Sequence, residues 1–345
     1  MAGANPFTGR IAPSIAAMWP LPSRQRDYAS PHNAELIGSV MRSVENPPPP
    51  TVRDYAYYRE ALAGVQLPAA FIDLDALIAN LQRLGNRAGG LPVRLVTKSI
   101  RSVEMLRTIM AAGPFMQGLL CYCAAEAAWL AGLGFDDIVV AYPTVDERSL
   151  IEVACQLRQG RSITLMVDDP AQVQAINEIA VTEGVVIPLA IDLDMSSVFP
   201  GLYFGVHRSP INDVASALGL AANIASYQGV VLRGLMGYEG QIAGLMDAVP
   251  GQAIRNGIIR FLKRRSITEV NKRREQVVQA LHKSGHTLQF VNGGGTGSFE
   301  STRLDPSVTE LAAGSGLYAP TLFDHYQAFE LMPAAGFALP VTRTQ

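Results

Sequence analysis

The chain has 345 residues, of which 48% are hydrophobic and 17% charged, so it can bury a sizeable core as one large domain or two ordinary ones and is not a disordered protein. A formal net charge of −2 gives no electrostatic case for nucleic acid or an anionic membrane surface, and no apolar run is long enough to span a bilayer. Cys121, Cys123 and Cys155 form neither a paired disulfide framework nor a CxxC zinc pattern; with no charged n-region ahead of an apolar core, ordinary buried thiols in a cytoplasmic protein are expected.

Residues 1–66 read as an irregular extension, with a polyproline segment at Pro47-Pro48-Pro49-Pro50 and a short helix over Ala34 to Val44. From Pro68 short apolar runs alternate with longer amphipathic segments, the pattern of repeated βα units. Strands are expected at Ala69 to Asp73, Val93 to Thr97, Gly118 to Tyr122, Asp137 to Ala141, Ser162 to Val167, Ile187 to Asp192, Val230 to Gly237 and Leu288 to Asn292. Helices are expected between them, several opening on cap or first-turn residues such as Asp75, Ser102, Asp146 and Asp169-Pro170. The last is long, lies within Ile254 to Ser284, and carries Lys263-Arg264-Arg265 and Lys272-Arg273-Arg274, which are expected on its wet face. Eight strands with intervening helices match a (βα)8 barrel better than a doubly wound open sheet, the structural alternative. The expected layout is an N-terminal extension over 1–66, a barrel over 67–326 and a short β segment over 327–345.

In such a barrel the residues following each strand converge on one mouth. They are Asp73-Leu74-Asp75, Lys98, Asp192-Leu193-Asp194 with the loop carrying His207-Arg208, Tyr238-Glu239-Gly240-Gln241, and Gly293-Gly294-Gly295-Thr296-Gly297-Ser298. The glycine cluster leaves the backbone free to turn tightly and to present N–H donors and two hydroxyls to one anion, a phosphate cradle after the last strand. It is neither GxxxxGK[ST] nor a GxGxxG followed by a ribose-binding acid, which disfavours nucleoside triphosphates and dinucleotides. A lysine ending one strand and a phosphate cradle ending another suggest a phosphorylated aldehyde held as a Schiff base, for which a desolvated strand end would keep the amine partly neutral. Pyridoxal 5′-phosphate is the natural candidate. A sugar phosphate in the same cradle, bound to Lys98 directly, is the other reading of these residues.

Pro68 to Asp75, Thr97-Lys98-Ser99, Met236-Gly237-Tyr238-Glu239-Gly240 and Gly293 to Gly297 together resemble the fold-type III pyridoxal-phosphate enzymes, in the D-threonine aldolase and D-serine dehydratase branch related to alanine racemase. The resemblance covers roughly Pro68 to Tyr326 and implies an alanine racemase-type barrel acting as a lyase on β-hydroxy D-amino acids, by retro-aldol cleavage or dehydration. It implies that Lys98 carries the cofactor and acts as a base at Cα. Gly294, Gly295, Thr296 and Gly297 would bind the phosphate, Tyr238 would lie beside the ring, and Arg208 would contact the ring or a substrate carboxylate. Asp192 and Asp194 are read as orienting the arginine or capping the strand end. Relatives dimerise, so a homodimer is an implied assembly. They also carry a β domain whose histidine and cysteine or aspartate bind a divalent metal; this chain is expected to hold only the start of that domain and none of those ligands. His282 and His286 read as surface residues flanking a helix end, and an exposed apolar patch is expected near Leu331 to Val341. An amino-acid racemase and a non-catalytic cofactor carrier are the rival functions.

Overall fold

The computed structural model describes residues 15–18 and 53–343; the helix expected over Ala34 to Val44 and the polyproline segment lie outside the described residues. In chain order the strands are β1 (Ile15–Met18), β2 (Ala69–Asp73), β3 (Val93–Val96), β4 (Met116–Cys121), β5 (Ile138–Val140), β6 (Ile163–Val167), β7 (Ile187–Asp192), β8 (Ser197–Phe199), β9 (Leu202–Phe204), β10 (Val230–Gly237), β11 (Phe290–Gly293), β12 (Glu310–Ala313) and β13 (Ala335–Ala338). Eight of them, β3 to β7 and β10 to β12, close into a parallel barrel in which β12 pairs with β3. The apolar runs are buried on both faces, as parallel strands covered by helices require. Alternate residues split the core in two. Val93, Leu95, Leu165 and Leu189 face the helices, while Leu120, Met166, Ala190, Met236, Phe290 and Ala312 fill the barrel.

Two expectations about the barrel are corrected. Ala69–Asp73 is a strand, but it lies outside the barrel, between β1 and β13 in an antiparallel three-stranded sheet. Its acids therefore do not reach the mouth: Asp73 caps the helix Leu74–Ala88 through the Asp75 and Ala76 amides and accepts from Arg53 and Tyr58. The eighth barrel strand is instead Glu310–Ala313, whose first residue points inward and is fully paired with Arg94. An acid at that position hides a strand from any reading of apolar runs.

Helices Val103–Ala112, Glu147–Arg158 and Pro170–Glu183 open on Ser102, Asp146 and Asp169, each accepting a first-turn N–H, a contribution of about 1 kcal/mol apiece. The helix Ala253–Lys283 carries both basic clusters, but they are not all solvated. Lys263 is held by Asp247 and the Leu245 carbonyl, and Arg274 is fully buried between Asp305 and Glu239. Buried cations survive where carboxylates from other elements meet them. The cysteines also differ from the expectation: Cys121 is buried, Cys155 half-buried and Cys123 exposed at the start of the helix Ala124–Gly132. His282 is exposed and His286 half-buried. In the tail Phe337, Leu339 and Val341 are exposed, while β13 is tied to β2.

Candidate active site

The carboxyl ends of the barrel strands open into a cleft with a volume of about 140 Å³. Val96, Leu120, Ala141, Met236 and Ala312 form an apolar floor. Lys98, Tyr142, Arg208, Tyr238, Thr296 and Ser315 stand around it. Among the described residues that line the cleft, two are cations and none is a carboxylate. Hydroxyls and cations over an apolar floor suit a flat ring bearing anionic substituents.

Lys98 reaches the cleft because β3 ends at Val96 and the next four residues, Thr97–Ile100, form a single helical turn. That turn lifts the side chain beyond the strand end, and Lys98 is exposed at the mouth of the cleft. Its Nζ stands 5.9 Å from the centroid of the Tyr142 ring. The Tyr142 ring also lies 4.9 Å from the Arg208 guanidinium carbon, so one aromatic ring meets both cations of the cleft.

Arg208 enters on the loop after β9. Its Nε donates to Asp192 Oδ2 at 2.7 Å, and its backbone N–H donates to Asp194 Oδ1. Of the two readings of these acids, orientation of the arginine is what the geometry supports. Asp192 closes β7, is fully buried, and its Oδ1 has no hydrogen-bond partner among the described residues. Burial pushes its carboxyl up to about 6, against the opposing pull of Arg208 and with help from Asp168 and Asp194. His207 is exposed, with its ring stacked on Tyr203.

Tyr238 follows β10; burial, and then the neighbouring Glu239 carboxylate, push its hydroxyl above the ordinary phenol range. Opposite it runs the glycine turn, which follows β11, the seventh barrel strand rather than the last. Gly294 sits at φ 78°, a left-handed conformation that favours glycine. Its N–H donates to Glu239 Oε2 and that of Gly295 to Ser298 Oγ, so these two amides hold the turn together. The Thr296 hydroxyl accepts from the Gly316 amide at 3.1 Å, which leaves its own proton to donate. Gly297 lies beyond the cleft: a Cβ there would fall on the Ala243 carbonyl oxygen.

Sequence reasoning missed Tyr142, Gly314 and Ser315, which complete the cleft. Gly314 and Ser315 follow the missed strand β12, and a Cβ at Gly314 would come within 2.5 Å of the Val96 carbonyl oxygen, next to the turn bearing Lys98. The loops after the seventh and eighth strands thus form one wall, the usual place for phosphate in such barrels. Among the described residues no group of three or more His, Cys, Asp or Glu is placed to hold a metal ion, and no helix is long and apolar enough to cross a membrane.

Residues 72–321 match the family model described as the alanine racemase N-terminal domain. The chain is 24% identical over 253 residues to the 3-hydroxy-D-aspartate aldolase of Paracoccus denitrificans (strain Pd 1222), covering 73% of this chain and 60% of that protein. It is 26% identical over 302 residues to the D-threonine aldolase of Arthrobacter sp, covering 84% of this chain and 71% of that protein. To the D-threo-3-hydroxyaspartate dehydratase of Delftia sp. (strain HT23) it is 28% identical over 265 residues, with 74% of this chain and 62% of that protein covered. The crystal structure of D-threonine aldolase from Filomicrobium marinum superposes with a TM-score of 0.68 at 22% identity, over 80% of this chain and 69% of that one. With the family model matched across the barrel, the chain belongs to the alanine racemase N-terminal domain family, a pyridoxal-phosphate-dependent family.

Proposed function

We propose that this cleft binds pyridoxal 5′-phosphate on Lys98 and that the chain is a lyase for β-hydroxy D-amino acids. The observation that carries the reading is that one apolar floor is bordered by an amine on the turn after β3 and, on the neighbouring strand ends, by the glycine and hydroxyl wall after β11 and β12. The fit of the group rests on that wall, where Thr296 and Ser315 bring hydroxyls to the cleft and glycine at 314 lets the loop close against Val96 beside Lys98. Thr296 and Ser315 would hold the phosphate by hydroxyl donation, Tyr238 and Met236 would flank the ring, and Lys98 would be the attachment point. When bound, the cofactor delocalises the negative charge that develops at the substrate Cα.

The chain's own groups supply the rest. Lys98, on a flexible stem at the mouth of the cleft, would serve as a base that holds or returns a proton at the substrate Cα. Arg208, fixed by Asp192, is a cation for a substrate carboxylate. The family relatives act on D-threonine and on 3-hydroxy-D-aspartate, so β-hydroxy D-amino acids are the substrate class to try first. The rival reading is a carrier that exchanges cofactor without turnover.

The test is an absorption spectrum of the protein with added pyridoxal phosphate, borohydride reduction and peptide mapping, alongside Lys98→Ala. A reduced adduct on Lys98 that the variant lacks is expected; a folded protein that stays colourless would sink the assignment. Product analysis then separates the functions, with and without an added divalent cation. Glycine and glyoxylate from D-3-hydroxyaspartate mean cleavage, oxaloacetate and ammonia mean dehydration, and neither means a carrier.

A further inference from the structure

Beneath the glycine turn lies a buried cluster that no step above uses. Glu239 is 1% exposed at the end of β10. Its Oε2 accepts the Gly294 N–H at 3.0 Å, and its Oε1 accepts the Thr302 hydroxyl and lies 3.2 Å from Arg274 Nη2. Arg274, fully buried on the long helix, is held by Asp305 at 2.7 Å and donates to the Gly237 carbonyl. Thr302 also meets Ser298, whose Oγ accepts the Gly295 N–H. From outside, Arg87 donates to the Thr296 carbonyl and pairs with Glu300. The turn is therefore fastened at three successive residues. At Gly294 and Gly295 the fastening traces back to Glu239, directly or through Thr302.

The charges of this cluster do not favour an anion. Glu239 and Asp305 carry two negative charges against one on Arg274, so the excess under the turn is negative. If the carboxylate acted on a phosphate through its field, it would repel it. Its hydrogen bonds act the other way: they fix the left-handed Gly294 and hence the orientation of the Gly295–Thr296 backbone. A phosphate site made of short side chains and backbone depends on such fixing, since an unfixed loop spends binding energy on its own ordering.

We infer that Glu239 is a positioning residue for the phosphate wall, so that preference for a phosphorylated over an unphosphorylated pyridoxal passes through it; this rests on the cofactor reading above. The experiment measures affinity of the full chain for pyridoxal 5′-phosphate and for pyridoxal, in wild type, Glu239→Leu, Glu239→Gln and Thr302→Val. Glu239→Leu removes both acceptors and is expected to lower the phosphate preference roughly tenfold, the scale of one well-placed hydrogen bond. Glu239→Gln keeps an amide oxygen for Gly294 and should restore most of it. A field effect predicts the reverse, with Leu and Gln both raising the preference, and that outcome overturns the inference. If Glu239→Leu does not fold, Thr302→Val carries the test: a lowered preference supports the role and an unchanged one sinks it. Wild type that binds neither aldehyde overturns the cofactor reading, whereas wild type that binds both equally overturns only the phosphate wall and this inference with it.

Discussion

The barrel holds inward-facing arginine–carboxylate pairs at its two ends, and they are built differently. At the amino end Arg94 meets Glu310 through two parallel bonds of 2.8 and 2.7 Å, its remaining nitrogen donates to Asp137, and Asn292 donates to the same Glu310. Every polar group is matched and the arginine is 1% exposed. At the carboxyl end Arg208 meets Asp192 through a single bond, one carboxylate oxygen is left without a partner, and the arginine lines the cleft. A closed pair of charges can only hold the barrel together. An open one retains the capacity to meet a ligand, at some cost to stability.

The sharpest way to break the comparison is to remove one member of the closed pair. Glu310→Gln leaves a buried guanidinium short of its counter-charge and is expected to cost about 3 kcal/mol or more. The affinity of the folded fraction for pyridoxal phosphate should be unchanged. Urea unfolding with a parallel cofactor titration checks both, and a stable protein with weakened binding would mean that the amino end communicates with the cleft. The double change Arg94→Met with Glu310→Leu should cost less than the single one, because no charge is stranded.

At the open pair the balance reverses. Arg208→Met is expected to cost about 1 kcal/mol or less of stability, since Asp192 can take up a proton, and to weaken D-amino acid binding roughly tenfold through loss of the carboxylate partner. Substrate titration of the cofactor-loaded protein reads it. A variant that loses stability but binds substrate normally would make Arg208 a second closed arginine.

The comparison also separates what the sequence made legible from what it did not. Lys98 and the glycine turn could be read because each ends an apolar run abruptly, and strand ends share one mouth whatever the details of closure. Glu310–Ala313 could not, because its inward position carries an acid made tolerable by Arg94, 216 residues away in sequence, and by Asn292 on the neighbouring strand. Ala69–Asp73 has the composition of a barrel strand, and composition does not say which sheet a strand joins. The basic clusters of the long helix looked solvated for the same reason: the carboxylates that bury Lys263 and Arg274 come from loops elsewhere. Tyr142 was within reach, since it stands just after β5, had every strand end been given the same weight.

The pH dependence of stability tests why Asp192 remains half-satisfied. Its carboxyl is raised from an ordinary 3.8 to about 6, mainly by burial. Between those two values the folded chain holds a proton that the unfolded chain has released, so this group's contribution to stability falls as pH rises through that window and is level above it. Other carboxylates move oppositely: Asp146 and Asp213 are lowered by hydrogen bonds from Ser149 and Ser216, and their contributions grow as pH rises. The raw pH profile of stability therefore mixes both signs, and the difference between wild type and Asp192→Asn isolates one. Unfolding free energies measured across this range should show wild type losing ground to Asp192→Asn from about pH 4 to about pH 6 and holding a constant difference above. A constant difference throughout would mean that Arg208 satisfies the carboxylate fully, and the contrast between the two ends of the barrel would then lie in exposure alone.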